Sequence, residues 1–255
     1  AAEDTRHSHF MLKKLNISTT LVSCHEHNEQ SRLDELLTSL KSGKSIAVIC
    51  DAGTPLISDP GYRLVDLAHS EKITVCPVPG PSAVITALSC SGLPTHRFLF
   101  EGFLPAKKNS RLKRLQELSR VPYTIVVYES SHRIVDALAD MQAVFNPDRL
   151  LTIAREMTKK FEHIERLSID RCLSWIEADS HRQKGEFVLV IEGDDSAGKK
   201  REQLSVDGEK IEQFIKNLLV ELPLKTVVSM CVDLTGLPKN TIYKMAKQQK
   251  AKPKD

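Results

Sequence analysis

Residues Asp51-Ala52-Gly53-Thr54-Pro55-Leu56-Ile57-Ser58-Asp59-Pro60-Gly61 bring two glycines, two prolines, two aspartates and two hydroxyls into one short loop. Those residue types can close on a small ligand. Glycine lets the backbone approach it, proline holds the loop stiff, and Asp51 or Asp59 can face a cation or a ribose. A second turn, Pro79-Gly80-Pro81-Ser82-Ala83, opens the helical run Val84 to Leu88 and leaves free backbone N–H groups at its start. Neither turn has the phosphate-cradling GxxxxGK(S/T) pattern, and no GxGxxG occurs, so a nucleotide gripped through its phosphates is not expected. His25-Glu26-His27-Asn28 has no third well-spaced ligand, so no metal site is expected. An arbitrary Gly/Pro loop is most often a plain surface turn. The surrounding elements decide against that here.

Both loops follow short apolar runs, Ile46 to Cys50 and Thr74 to Val78, too short for helices and read as buried strands. Helical spacing flanks them at Leu33 to Leu40, Tyr62 to His69 and Ser82 to Leu88. This alternation predicts a parallel sheet with helical crossovers, and ligands bind at the carboxyl ends of such strands. After Gly92-Leu93-Pro94 a second α/β region is predicted: strand Phe98 to Phe100, basic helix Arg111 to Leu118, strand Tyr123 to Tyr128, helix Ile134 to Phe145, and strands Leu150 to Ala154 and Phe187 to Ile191. Phe161 to Ile169 also reads as extended, which predicts a mixed sheet. The expected organisation is therefore residues 1–94, residues 95–194, a linker over 195–207 and a helical unit over 208–255.

Hydrophobic content of 41% and charged content of 27% are those of a soluble globular chain, and no apolar stretch approaches the roughly 20 residues that span a bilayer. The six cysteines form no CxxC pair and lie mostly in apolar runs, as reduced residues of a cytoplasmic protein do. Charge is uneven. Residues 199–255 carry 12 Lys and Arg against 7 Asp and Glu, leaving 24 against 26 in the first 198. A basic tail on a near-neutral body suits contact with nucleic acid. Within it, Ile211 to Val220, Leu224 to Cys231 and Thr241 to Ala246 read as helices, the last two joined by a glycine-containing turn in helix-turn-helix outline. Lys239, Asn240, Lys244 and Lys247 fall where such motifs meet backbone phosphates. A plain helical hairpin is the other reading. On the body, Lys107, Lys108 and Arg111, with Arg114, form the alternative RNA surface.

Seven segments together are specific. Ala2-Glu3-Asp4-Thr5-Arg6-His7, Asp51 to Gly61, Pro79-Gly80-Pro81, Glu101 to Pro105, Tyr128-Glu129-Ser130-Ser131-His132-Arg133, Ala154 to Lys159 and Lys184-Gly185-Glu186 resemble, in order and spacing, the bacterial small-subunit rRNA methyltransferases of the first type. These belong to the tetrapyrrole-methylase-like (class III) methyltransferases. The resemblance implies two α/β domains with a cofactor cleft between them plus a small helical C-terminal domain, and S-adenosyl-L-methionine as cofactor. It also implies 2′-O-methylation of a cytidine ribose in 16S rRNA at the decoding centre of the small ribosomal subunit, by a homodimer. Asp51, Gly53, Thr54, Pro55, Ser58, Asp59, Ser82, Ala83 and Thr86 then become cofactor contacts, with Phe103, Ala154 and Gly185 on the facing wall. Thr54 stands where the superfamily commonly has an aspartate, so Asp51 or Asp59 is left to meet the ribose.

Methyl transfer to a ribose hydroxyl asks chiefly for alignment, and a base that takes the proton adds roughly 10²–10⁴-fold. Glu3, Asp4, His7 and Glu156 are the base candidates, and Arg6 or Arg155 a grip on the neighbouring phosphate. For Glu3 to Arg6 the competing reading is a helix start capped by Asp4. Members of the family begin with an apolar strand and a Pro-Thr-Pro-Ile-Gly-Asn-like loop ahead of the Ala-Glu-Asp-Thr-Arg motif in which this chain starts. A fragment that lacks part of the cofactor crevice is therefore expected. Two other functions fit parts of the pattern. A small-molecule tetrapyrrole or corrin methylase would have no use for the basic tail. A non-enzymatic nucleic-acid-binding protein with a ligand-sensing body would have no use for Glu3, Asp4, Arg6 and His7.

Overall fold

The computed structural model describes residues 1–194, 208–235, 237 and 239–251, so the linker expected over 195–207 lies outside the described residues. The chain divides into a body, Ala1–Leu118 with Thr124–Glu192, and a second unit, Ser119–Tyr123 with Gly193–Asp255. Among the described residues no helix is long and apolar enough to cross a membrane.

The body begins with helices α1 (Thr5–Lys14), α2 (Glu29–Lys41), α3 (Tyr62–Ser70) and α4 (Ala83–Ser91). The parallel sheet expected among them is reduced to isolated bridges. Ala2 pairs in parallel with Ser23 on one side and Ile49 on the other, through Ala2 N to Val22 O (2.8 Å) and Ile49 N to Ala1 O (2.9 Å). Thr74 to Val78 forms no ladder among the described residues, and Val78 is 87% exposed. The apolar run is there, but parallel strands hold when both edges are paired and both faces covered, and neither condition is met here. Cys24, Leu33, Leu36 and Leu64 form the buried centre of a small cluster under α2 and α3.

The rest of the body is a five-stranded mixed sheet in the order β1-β2-β5-β3-β4, from β1 (Phe98–Phe103), β2 (Thr124–Ser130), β3 (Leu150–Arg155), β4 (His163–Ser168) and β5 (Glu186–Ile191). β1 and β2 run parallel across α5 (Lys108–Leu118), and the remaining pairs are antiparallel. Side chains alternate between faces. Val126, Ala154, Val188 and Val190 pack beneath Val84, Ala87 and Leu88 of α4. The opposite face, with Ile125, Val127, Ile153 and Leu189 fully buried, lies under α6 (Ile134–Val144) and α7 (Ile169–Glu177). Coverage of both faces explains why β2 and β5 read as continuous apolar runs.

The second unit holds α8 (Gly208–Glu221), α9 (Leu224–Thr235) and α10 (Lys239–Ala251) around Ile211, Ile215, Val227, Val228, Cys231, Ile242 and Ala246. Ile242 and Ala246 are four residues apart on one face of α10, so Lys244 and Lys247 are left exposed on its others.

Candidate functional site

A cleft of ≈ 340 Å³ opens in the body where the loop after Cys50, the start of α4 and the ends of β1, β2 and β5 meet. Gly53, Thr54, Ser58 and Asp59 supply one wall, Ser82 and Ala83 adjoin it, and Phe103 closes one edge. Thr54 ties the two glycine/proline loops together: its hydroxyl donates to Pro81 O at 2.7 Å. Ser82 holds the N-cap position of α4 but makes no side-chain cap, so the helix presents uncapped N–H groups at the cleft. The loop is strained. Leu56 (φ +73°) and Ser58 (φ +66°) are left-handed, at about 1–2 kcal/mol each, and such strain gathers at ligand clamps. Its exit is held from below. Gly61 has φ +123°, a Cβ there would lie 2.9 Å from Leu56 Cδ1, and a glycine brings no cap to α3. Glu29 of α2 caps instead, its Oε1 accepting from Gly61 N (3.1 Å) and Arg63 N (3.0 Å).

Asp59, Glu129 and Glu186 line the cleft, and among the described residues no Lys or Arg does. Arg133 pairs with Glu129 and Lys159 with Glu186, which leaves Asp59 as the carboxylate with no cation in the described ion pairs. Burial, then the charges of Glu3 and Asp51, push the Asp59 carboxyl up, partly opposed by a hydrogen bond from Cys50. Burial and the Asp59 carboxylate push the Cys50 thiol to about 11. Glu129 has no side-chain exposure and is paired with Arg133 at 3.1 Å, yet burial still raises it. Phe103 and Tyr128 meet edge to face with ring centroids 5.6 Å apart, adding an aromatic corner.

At the start of α1 the first candidate group assembles. Glu3 Oε2 accepts from Asp51 N at 3.2 Å, and His7 Nδ1 lies 3.6 Å from Asp51 Oδ1. Asp4 is spent on structure. It caps α1 by accepting from Arg6 N (2.8 Å) and His7 N (3.4 Å), and Arg6 pairs with it at 3.0 Å. Those hydrogen bonds, the one from the Arg6 side chain first, hold its carboxyl at about 2. Glu3, His7, Asp51 and Pro55 are not among the residues lining the cleft.

The facing wall is only partly where the sequence put it. Ala154 is fully buried under α4, and Thr86 turns its hydroxyl back to Ser82 O at 2.8 Å. Glu156 and Gly185 line a different cavity. Glu156, at φ +50°, binds Lys159 (2.9 Å) and the backbone N of Glu186 (3.0 Å), and its carboxyl is lowered, by Lys159 first. Gly185 is at φ +104°, where a Cβ would meet Glu156 Cγ at 2.5 Å. Gly185→Ala is expected to cost about 1–3 kcal/mol in a urea melt, since Glu156 cannot yield without giving up both partners. An unchanged midpoint would show that the turn relaxes freely.

Residues 1–172 match the family model of the tetrapyrrole (corrin/porphyrin) methylases, and residues 205–250 that of the RsmI C-terminal HTH domain. A protein of Escherichia coli named ribosomal RNA small subunit methyltransferase I is 43% identical over 98% of this chain and 85% of its own length. Its namesake in Pseudomonas aeruginosa is 43% identical over 99% and 88%, and that of Vibrio cholerae 46% over 96% and 83%. The chain belongs to the ribosomal RNA small subunit methyltransferase I family.

In this methyltransferase the two basic candidate surfaces differ. Lys239, Asn240, Lys244 and Lys247 are all exposed on α10. On the body, Lys107 and Lys108 are exposed, but Arg111 is placed otherwise than the sequence indicated. Its guanidinium is buried, Nε binding Asp140 Oδ2 at 2.7 Å, because α5 turns that face onto α6. Arg114 is held bidentately by Glu101 at 2.6 and 2.7 Å. Sequence reasoning gave no contact role to the cleft's other wall, Tyr128, Glu129, Ser130, Glu186, Phe187 and Val188, although Tyr128 to Ser130 and Glu186 fall in two of the seven segments. The pairing that aligns the ends of β2 and β5, Ser130 opposite Glu186, is antiparallel across 56 positions of chain, and no local pattern announces it. An acid within an apolar strand, Glu129, and those two segments were the available signals.

Proposed function

We propose that this protein transfers the methyl group of S-adenosyl-L-methionine to the 2′-hydroxyl of a cytidine ribose in 16S rRNA of the small ribosomal subunit. The observation that carries the methyl donor is the cleft itself: the Asp59 carboxylate, an aromatic corner and, among the described residues, no Lys or Arg in the lining. Such a lining favours a positively charged sulfonium through charge and cation–π attraction, and disfavours a ligand recognised by its phosphates. When bound, S-adenosyl-L-methionine supplies a methyl group on a sulfonium that is already a good leaving group. The names of the relatives support ribosomal RNA as the acceptor, and the exposed basic face of α10 supports contact with a phosphate backbone.

The residues divide the work as follows. Gly53 and the uncapped start of α4 offer backbone N–H groups to the amino-acid end of the cofactor, and Asp59 faces the ribose or the sulfonium. Phe103 and Tyr128 offer ring faces. Among the base candidates, Asp4 is engaged as a cap and Glu156 is held by Lys159 and Glu186, which leaves Glu3 and His7 beside Asp51. The contribution of either is the roughly 10²–10⁴-fold of a positioned base.

The test is methyl incorporation from labelled S-adenosyl-L-methionine into isolated small subunits, free 16S rRNA and a tetrapyrrole. Label in the subunit RNA that survives alkaline hydrolysis as a dinucleotide is the expected result, because a methylated 2′-oxygen cannot attack its phosphate. Label in an alkali-sensitive nucleotide, or in the tetrapyrrole alone, would overturn the reading.

A further inference from the structure

A second cavity, ≈ 280 Å³, adjoins the cleft across Gly185 and Glu186 and has the opposite charge. Arg155, Phe161, His181 and Lys184 line it together with Glu156 and Gly185. Arg155 builds its rim. Nη1 donates to His181 O (2.8 Å) and Lys184 O (3.0 Å), and Nη2 donates to Phe161 O (3.1 Å). The bidentate phosphate grip expected of Arg155 is therefore spent on carbonyls, and its charge also acts on the neighbouring Glu156 carboxyl. Glu156 and Glu186 are both bound by Lys159, at 2.9 and 2.7 Å, and among the described ion pairs none involves Arg155 or Lys184. Phe161 lies at this rim, 61% exposed, with Lys160 Nζ 5.6 Å from its ring centroid. An exposed ring beside a cation with no described ion pair, Lys184, is the combination that binds single-stranded nucleic acid, the ring stacking a base and the cation meeting the backbone. The basic residues of α5 differ, because Asp140, Glu101 and Glu117 neutralise Arg111 and Arg114.

We propose that this cavity is a nucleotide subsite, in which Phe161 stacks on an unpaired base of the RNA strand and Lys184 receives its phosphate, with Arg155 holding the rim that places both. The subsite adjoins the cleft, so its occupant is a close neighbour of the methylated nucleotide. The inference rests on the reading of this protein as an RNA methyltransferase.

Phe161 and Lys184 are exposed, so Phe161→Ala and Lys184→Ala remove the chemistry without opening the core. The full chain and each variant are titrated with isolated small ribosomal subunits over a range of salt, and with S-adenosylhomocysteine by calorimetry. Phe161→Ala is expected to weaken subunit binding about tenfold. Lys184→Ala is expected to lower the slope of log affinity against log salt by about 0.7, with Lys184→Arg retaining it. S-adenosylhomocysteine affinity stays unchanged throughout. Subunit affinities and salt slopes equal to those of the unaltered chain would overturn the subsite alone. A parallel loss of S-adenosylhomocysteine binding would assign the cavity to the cofactor and overturn it too. Failure of the unaltered chain to bind subunits would remove the functional reading first, and the subsite with it.

Discussion

Arg111→Ala is expected to destabilise the body by about 3–5 kcal/mol in urea unfolding while leaving RNA affinity of the folded protein unaltered. The side chains of Arg111 and Asp140 are 4% and 6% exposed and 2.7 Å apart. Removing the guanidinium strands a carboxylate in the interface of α5 and α6, where Lys108, 4.0 Å away and mostly in solvent, is a poor substitute. Removing both charges together, with Arg111→Met and Asp140→Leu, is expected to recover most of the loss, because an apolar pair of similar volume carries no desolvation cost. Trp175, the only tryptophan, packed against Arg182 at 4.5 Å, reports on body unfolding. A loss below about 1 kcal/mol for the single variant would show that water reaches Asp140 and that the pair is not truly buried.

Replacing Lys239, Lys244 and Lys247 with Ala is expected to flatten the salt dependence of RNA binding by about 2 to 3 units of log–log slope, and to leave S-adenosyl-L-methionine binding as it was. Each phosphate contact accounts for roughly 0.7–0.9 of that slope through counterion release. All three lysines are exposed, while Ile242 and Ala246 anchor the helix, so the triple variant keeps its fold. An unchanged slope would make the second unit a packed helical appendage. The body would then have to hold the RNA. The fallback surface at Lys107, Lys108, Arg111 and Arg114 is weakened for that role by the carboxylates already bound to its arginines.

Much of the body was legible because its signals are local. β2, β3 and β5 are apolar runs bounded by turn residues, and α2, α3, α5 and α6 carry helical spacing; each falls within a few residues of its expected span. α7 escaped notice because Ile169-Asp170-Arg171-Cys172 follows β4 without a break, Ser168 being both strand end and N-cap. The loop Asp51 to Gly61 announced itself by composition, and four of its predicted contacts line the cleft. Other residues were misplaced for a common reason. Whether Arg111 faces water, or Glu156 opens to the cleft or away from it, depends on a partner brought from elsewhere: Asp140 in one case, Lys159 and Glu186 in the other. Residue type fixes what a side chain can do. Only tertiary packing fixes what it meets.

The strand made last in the body is the one at its centre. β5 is paired on one side with β2 and on the other with β3, yet it is completed only at Ile191. Until then the nascent chain holds a parallel pair, β1 and β2, and a hairpin, β3 and β4, each with one apolar strand edge unfilled. Such edges are templates for pairing with other chains, and contacts of long sequence separation close slowly. Synthesis therefore carries a window of vulnerability that shuts when Phe187 to Ile191 inserts, so a chain cut short between β4 and that strand would carry two adhesive half-sheets and an unfilled sheet core.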